Sequence, residues 1–97
     1  LRPVLVVSRE PINRTLPVVG ICPLTSLKPG RKVYPTEVLL QAGEAGLTLN
    51  SLVLAHQVRT IAKERLKRRL GTLESPARKE AVKSALGLFL DLDGAFS

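Results

Sequence analysis

The sequence predicts a single domain over residues 1–97 that is mainly β and ends in one helix, an α+β fold. Short runs rich in Val, Ile and Leu recur through the first three quarters of the chain, each bounded by Gly, Pro or polar residues. Only the last quarter shows apolar residues at three- and four-residue spacing, which is typical of a helix. A chain of 97 residues is also near the usual size of one domain.

Two polar loops separate the first three predicted strands. Residues 3–8 (PVLVVS) are nearly continuously apolar, as in a strand covered on both faces, and residues 9–15 (REPINRT) supply a loop. The second strand covers residues 17–24 (PVVGICPL), and a Pro-Gly turn lies in the loop 25–32 (TSLKPGRK). Residues 33–40 (VYPTEVLL) resume as a strand.

Three further strands are predicted before the helix. Residues 51–55 (SLVLA) and 58–61 (VRTI) flank a His-Gln pair, through which we expect the chain to continue or kink. A short helical turn is expected at residues 62–65. Residues 66–73 (LKRRLGTL) alternate enough to predict a basic, half-exposed strand.

The terminal helix has a clear start and a clear apolar stripe. Ser75 is the expected N-cap, and Pro76 takes the first helical position. The stripe, which we expect to pack on the sheet or on a partner, consists of Ala81, Val82, Ala85, Leu86, Leu88 and Phe89. Six short strands followed by one helix predict a small, strongly bent sheet or barrel.

The charge balance points to a polyanionic partner. Fifteen Lys and Arg residues against eight Asp and Glu give a formal net charge of +7, which favours nucleic acid, an acidic protein or a membrane surface as the partner. The single Cys22 excludes an intramolecular disulfide and fits a reducing compartment. No apolar run near the N-terminus is long enough for a bilayer span or a secretory signal, so we expect a cytoplasmic protein without a membrane partner.

The residue types leave few chemistries open. His56 and Cys22 are the only soft metal ligands, and carboxylates do not cluster except near the C-terminus, so neither a metal site nor a cofactor is expected. No glycine-rich phosphate loop of a known spacing occurs. One His without a neighbouring acidic residue makes a Ser-His-Asp triad a weak hypothesis.

What remains is an anion site with an acid or a base. Arg2 precedes a strand, Thr25 and Ser26 follow one, and a short stretch holds the polar residues His56, Gln57, Arg59 and Thr60. If the strand ends converge, a guanidinium, hydroxyls and an imidazole surround one point. Such a set can cleave RNA without a metal: a base takes the proton of a ribose 2′-hydroxyl, and Arg stabilises the phosphate charge.

These residues also resemble a known family. The ordered series is similar to the MazF/PemK family of toxin endoribonucleases over essentially the whole chain, and its most specific part is QVRTI with the RLxxxLG element downstream. The segments that carry the resemblance are RPVLVVS (2–8), PLTS (23–26), PTEV (35–38), LAHQVRTI (54–61) and RLKRRLGTL (65–73).

The resemblance implies a compact SH3-like, MazF-type β-barrel, a homodimer, and an acidic antitoxin that blocks the RNA groove. It implies metal-independent, sequence-selective cleavage of single-stranded RNA to a 2′,3′-cyclic phosphate and a 5′-hydroxyl. By position, the phosphate-stabilising Arg falls on Arg2 and the catalytic hydroxyl on Thr25, with Ser26 beside it. The RNA-groove stretch falls on Gln57, Arg59 and Thr60.

Base selection is expected from the loops. These are residues 9–15, which include Asn13 and Arg14, and residues 25–32. The surplus of basic residues in the C-terminal half is expected to steer phosphates or an acidic partner. Between positions 59 and 83 that surplus comprises Arg59, Lys63, Arg65, Lys67, Arg68, Arg69, Arg78, Lys79 and Lys83.

Two features depart from the family pattern. Relatives usually carry another strand and a flexible loop before the Arg-Pro, so the first strand of the barrel is expected to be missing from this sequence. His56 stands where relatives commonly carry Asp or Glu, and an imidazole can replace a carboxylate in acid/base work.

Alternatives stay open at the level of residues and of function. Arg2 can be a solvated terminal charge, Thr25 and Ser26 can satisfy backbone groups, His56 can be structural, and Arg59 can be an ion-pair partner. A non-enzymatic gyrase-poison-like toxin of the same fold is the rival function. An inactive module that binds RNA or antitoxin is a third.

Overall fold

The computed structural model describes residues 2–94, and it confirms a mainly β chain with a C-terminal helix. The strands are β1 (Val4–Val6), β2 (Val18–Ser26), β3 (Glu37–Leu40), β4 (Ser51–Leu54) and β5 (Arg59–Ala62). The α-helices are α1 (Glu10–Thr15) and α2 (Pro76–Leu90), and the 3₁₀ helices are Glu44–Gly46, Ala55–Gln57 and Lys63–Arg65. All strand pairs are antiparallel, and the sheet formed by the described residues is open.

Strand β2 is the centre of the sheet and pairs with three others. Its residue Ile21 faces both Val6 of β1 and Arg59 of β5, so β1 lies on one edge of β2 and β5 on the other. Strand β4 continues along the β5 edge, where Leu24 faces Val53. Strand β3 then pairs with β4. The sheet order is therefore β1-β2-β4-β3, with β5 beside the first half of β2.

The expected kink at the His-Gln pair is confirmed. Leu24 pairs with Val53, and Ile21 pairs with Arg59. Two residues of β2, 22 and 23, are therefore matched by the five residues 54–58 between these partners. The excess forms the 3₁₀ helix Ala55–Gln57, which interrupts the ladder between β4 and β5. This insertion turns His56 and Gln57 out of the sheet pattern.

An aliphatic core lies under the sheet, as the composition predicts. The largest fully buried side chains are Ile21, Cys22, Leu40, Leu52 and Val53, of which Cys22, Leu40 and Val53 belong to the core cluster. Each large apolar side chain contributes about 1.5–3 kcal/mol on burial. Cys22 is a core residue, and its burial raises the pKa of its thiol. The thiolate form is therefore disfavoured, as in an inert structural cysteine.

Helix α2 begins where the sequence predicts. The Ser75 hydroxyl accepts a hydrogen bond from the backbone N–H of Arg78 at 3.2 Å, and Pro76 opens the helix. Val82 and Ala85 are buried against β3 and the 3₁₀ helix Ala55–Gln57. The Arg78 guanidinium also binds the Glu44 carboxylate at 3.0 Å, which fixes the start of α2 to the 3₁₀ helix Glu44–Gly46.

Only part of the predicted apolar stripe packs on the sheet. Ala81 and Leu86 join the core cluster beside the two buried residues. Leu88 and Phe89 are exposed, and Leu90 and Leu92 continue this apolar surface. Within the described residues, the first part of the stripe thus packs in the core and the last part is exposed.

Four local predictions were wrong. Thr25 and Ser26 do not follow the second strand but are its last two residues, because both pair with β4. Residues 9–15 are not a loop, because Glu10 and Pro11 open the short helix α1 with a carboxylate and a proline suited to a first turn. The third strand starts only at Glu37, after a turn at Pro35. Residues 66–73 form no strand, since they pair with no described strand and instead lie against the turn at Gly46.

Candidate active site

The register of two antiparallel strands brings the predicted site residues together. Val4 faces Pro23, and the Leu24 N–H donates to the Pro3 carbonyl at 3.1 Å. Extending that register places Arg2 opposite Thr25. On the other edge of β2, Ser26 faces Ser51 of β4. The end of β2 therefore carries a guanidinium on one side and a buried serine on the other.

These residues line an open cleft of about 480 Å³. Its polar lining combines hydroxyl and cationic side chains: Arg2, Thr25, Ser26, Lys28, Thr48, Ser51 and Arg68. The Thr25 and Ser26 hydroxyls make no hydrogen bond to another described residue. The alternative that they satisfy nearby backbone groups is therefore not what the structure shows, and both hydroxyls remain available to a ligand.

The charged residues that line the cleft are all cationic. Arg2, Lys28 and Arg68 all line it, and its lining contains no carboxylate. Within residues 2–94, none of these three cations takes part in an ion pair. Unpaired cations and hydroxyl donors at the same place suit a phosphate group, which accepts several charge-assisted hydrogen bonds.

His56 lies at the other end of β4. Its Nδ1 atom is 3.3 Å from the Thr36 hydroxyl, and it does not line the cleft. Leu52, the partner of Thr25 across the ladder, lies within β4, whereas His56 lies beyond the end of this strand, on the 3₁₀ helix Ala55–Gln57. The structure therefore separates His56 from Arg2 and Thr25.

A buried carboxylate in an ion pair lies beside His56. Glu37 is 7% exposed, and Arg31 donates to both of its carboxylate oxygens at 3.0 and 2.8 Å. The Tyr34 N–H also donates to this carboxylate at 3.1 Å. The Arg31 hydrogen bonds, and less strongly the Tyr34 N–H, lower the pKa of Glu37 against the opposing effect of burial. Glu37 is therefore held as a carboxylate.

The remaining predicted RNA contacts lie outside the cleft. Gln57 is exposed on the 3₁₀ helix, and Arg59 and Thr60 are exposed on β5, opposite Ile21 and Gly20. Arg59 makes no ion pair with a described residue, so the structure does not support its alternative role as an ion-pair partner.

Asn13 and Arg14 lie on α1 and already have partners. The Asn13 side chain donates to the Ser8 carbonyl at 3.0 Å and accepts from the Ser8 hydroxyl, which itself accepts from the Gly20 N–H at 2.9 Å. Arg14 pairs with Glu10 at 3.3 Å on the exposed face of the helix. Asn13 thus ties α1 to β2, whereas Arg14 remains at the surface.

Sequence reasoning missed two of the cleft cations. Lys28 belongs to the loop 25–32, but it was not distinguished from the other basic residues there. Arg68 was counted only within the basic surplus. Because its segment was predicted as a strand, the nearby Gly71 was not interpreted as a position where two backbones approach closely.

Two further features concern metal ligands and membrane-spanning helices. Among residues 2–94, no group of three or more His, Cys, Asp or Glu side chains is placed to hold a metal ion. No helix within the same part of the chain has the length and apolar character needed to cross a membrane.

Known proteins with a similar sequence carry a consistent set of names. Endoribonuclease MazF9 of Mycobacterium tuberculosis is 41% identical over 96 residues, covering 94% of this chain and 79% of the relative. Endoribonuclease MazF of Staphylococcus saprophyticus is 32% identical over 92 residues, covering 95% and 75%.

Solved structures agree with the sequence relatives. A mycobacterial endoribonuclease in complex with its cognate antitoxin superimposes with a TM-score of 0.80 at 30% identity, covering 94% of this chain and 82% of the other. MazF in a MazE–MazF complex from Deinococcus radiodurans gives 0.76 at 30% identity, covering 94% and 86%. Residues 1–90 match the family described as PemK-like, MazF-like toxins of type II toxin–antitoxin systems. The ordered motifs, the fold and these matches agree, and the chain belongs to that family of toxins.

Proposed function

We propose that this chain is the toxin of a toxin–antitoxin pair and cleaves single-stranded RNA at the end of β2. The observation that carries the proposal is the position of Arg2 opposite Thr25 in a cleft with three unpaired cations. Membership of the MazF-like family supports endoribonuclease activity. RNA selection by sequence, with no metal required, is part of the proposal.

The reaction is an internal transesterification. The ribose 2′-oxygen loses its proton to a solvent water molecule and attacks the adjacent phosphorus. The bond from phosphorus to the 5′-oxygen breaks, and that oxygen gains a proton from solvent. The products are a 2′,3′-cyclic phosphate and a 5′-hydroxyl. Arg2 stabilises the charge that develops on the phosphate, and the Thr25 hydroxyl positions the attacking or a non-bridging oxygen. Ser26 lies beside it and contacts the same strand of RNA.

The RNA extends beyond the cleft in this proposal. The exposed Gln57, Arg59 and Thr60 provide polar contacts along β5, while Asn13 and Arg14 lie on α1. His56 would serve as an acid or base only if RNA or a conformational change brought it to the reacting phosphate. A substitution of His56, described below, tests that role directly.

The partners follow from family and charge. An acidic antitoxin is proposed to occupy the cationic cleft, and relatives of this chain have been solved with an antitoxin or with MazE. A homodimer is also proposed, and the exposed Leu88, Phe89, Leu90 and Leu92 provide an apolar surface for such a contact. We propose the cytoplasm as the location, where the single-stranded RNA substrate is found.

The test is RNA cleavage by the purified protein in excess EDTA. The parent protein should give defined fragments with cyclic phosphate ends. Arg2→Ala should reduce the single-turnover rate by about 10²–10³-fold, the effect of removing one donor to a developing oxyanion. Arg2 is exposed, so the thermal midpoint should hardly change. Cleavage by Arg2→Ala at the parent rate would show that Arg2 is not catalytic.

The same assay separates the rival functions. RNA that is bound with a steep salt dependence but left intact would indicate an inactive binding module. Neither binding nor cleavage would favour a protein poison of the same fold. Loss of cleavage on adding EDTA, restored by a divalent cation, would overturn the metal-independent mechanism.

A further inference from the structure

Arg68 reaches the cleft from a segment with no regular structure. Residues 66–73 contain neither helix nor strand, yet Arg68 and Leu70 line the same cleft as Arg2 and Thr25. An irregular segment presents a side chain reproducibly only if its backbone is held in place. The position of Arg68 therefore depends on what fixes this segment.

Two glycines and one buried leucine fix it. A methyl group on Gly71 would lie 2.6 Å from the Ala45 carbonyl carbon, and one on Gly46 would overlap the Leu70 carbonyl, so these backbones touch. Gly46 also has a φ of +76°, a conformation that favours glycine. Leu73 is buried in the core cluster. The segment is thus clamped on the turn that forms one wall of the cleft.

Arg68 differs from its neighbour Arg69. The Arg69 guanidinium donates to the Thr72 hydroxyl at 2.6 Å, and Arg69 does not line the cleft. Arg68 lines the cleft and has no hydrogen-bond or ion-pair partner among the described residues. The backbone of its segment is held against the turn at Gly46, and its guanidinium has no protein acceptor, as expected of a group that binds an external anion.

The cleft has room for more than the reacting phosphate. Its volume of about 480 Å³ lies within the range of roughly 300–1,000 Å³ of sites that enclose whole small molecules. Arg2 lies opposite Thr25, so these two residues contact the same phosphate. The guanidinium of Arg68 comes from a different wall, and it is free to hold a neighbouring phosphate of the same strand.

We propose that Arg68 binds a phosphate that flanks the scissile one and so seats the RNA backbone in the cleft. This inference rests on the proposed endoribonuclease function. It makes Arg68 a binding residue rather than a catalytic one. Its loss should therefore weaken RNA binding and raise KM while kcat changes little.

The experiment compares Arg68→Ala with Arg69→Ala, which removes the same charge from the same segment. Cleavage sites of the parent protein are first mapped on a long single-stranded RNA. An oligonucleotide spanning one site, with 2′-deoxyribose at the cleaved nucleotide, then serves as the uncleavable probe. Arg68→Ala should raise its Kd about tenfold and lower the slope of log K against log salt by about 0.7. Arg69→Ala should stay within about twofold, as for a charge remote from the phosphates.

Substrate length provides the second readout. On a cleavable dinucleotide, which carries only the scissile phosphate, Arg68→Ala and the parent should cleave at the same kcat/KM. On the longer substrate, Arg68→Ala should show the raised KM. Arg68→Lys, which keeps the charge but not the planar fork, should recover most of the binding.

The outcomes separate the inference from the function on which it rests. If the parent protein cuts RNA and the two alanine variants behave alike, the flanking-phosphate site is disproved and the proposed function stands. An equal loss on the dinucleotide would place Arg68 at the scissile phosphate and would also disprove the site. If the parent protein cuts no RNA, the proposed function itself fails.

Discussion

The two ends of strand β4 use similar residues for opposite purposes. At the Leu54 end, Arg31 is bound to Glu37, and the Thr36 hydroxyl contacts His56. At the Ser51 end, the cations Arg2, Lys28 and Arg68 that line the cleft have no such partners among residues 2–94, nor do the hydroxyls of Thr25 and Ser26. The first arrangement fixes the fold, whereas the second leaves charge available for an anion.

The loop between β2 and β3 joins these two ends. Lys28 lines the cleft, and Arg31, three residues later, is bound to Glu37. Arg31 and Lys32 also lie 6.0 and 5.5 Å from the centre of the Tyr34 ring. The Arg31–Glu37 ion pair therefore restrains the loop that carries a cleft cation. Stability at one end of β4 contributes to the geometry of the other.

The largest expected difference between the ends concerns two threonines. Thr25→Ala should slow RNA cleavage by about 100-fold, because it removes a hydroxyl from the reacting phosphate. Thr36→Ala, the matched change at the other end, should leave the rate nearly unchanged. Single-turnover cleavage of one RNA measures both variants, and Thr25→Ser should keep most of the activity. Equal rates for the two alanine variants would remove the functional distinction between the ends.

The second prediction concerns the Arg31–Glu37 ion pair and how its contribution to stability depends on pH. Glu37→Gln should lower the free energy of unfolding at neutral pH by about 2 kcal/mol, the value of a hydrogen bond to a charged group. Denaturant unfolding measures this change. The control is Glu10→Gln at the exposed Glu10–Arg14 pair, for which we expect about 0.3–0.5 kcal/mol.

The direction of the pH effect follows from the lowered pKa of Glu37. A carboxyl with a lower pKa in the folded chain stabilises the fold above its unfolded pKa of about 4.3. That contribution disappears as pH falls through the folded-state value. The difference between the parent and Glu37→Gln should therefore shrink in acid. A difference that grew below neutral pH would contradict the assignment.

The smallest expected effect is that of His56→Gln. An imidazole that transferred a proton in the reaction would contribute about 10²–10⁴-fold to the rate. Its place beside Thr36, away from the cleft, predicts a change of less than about threefold, equivalent to under 1 kcal/mol. Cleavage rates of the variant and the parent decide between these values. A loss above 100-fold would show that His56 reaches the phosphate in the RNA complex.

Much of the fold was predictable because its signals are local. Ser75 and Pro76 mark the start of α2 through their own hydrogen-bonding and dihedral properties. The apolar runs at β2 and β4 identify core strands. The strand predicted at residues 66–73 is absent, because alternation of apolar and polar residues does not by itself provide a partner strand.

The candidate site was only partly predictable. Arg2, Thr25 and Ser26 were identified from the ordered motifs, and the structure brings them to one cleft. The place of His56 and the participation of Lys28 and Arg68 depend on contacts between distant parts of the chain. No local pattern distinguishes a basic residue that lines a cleft from one that is only solvated.

The sequence by itself therefore determined the α+β class, the capped helix, the aliphatic core, the excess of positive charge and the family. Each of these depends on residue type or short-range spacing. The tertiary structure alone decided which charges are paired and which are free. Arg31 meets Glu37, Arg2 lies opposite Thr25, and Arg68 lines the cleft because strand register and the backbone contact at Gly46 place them there.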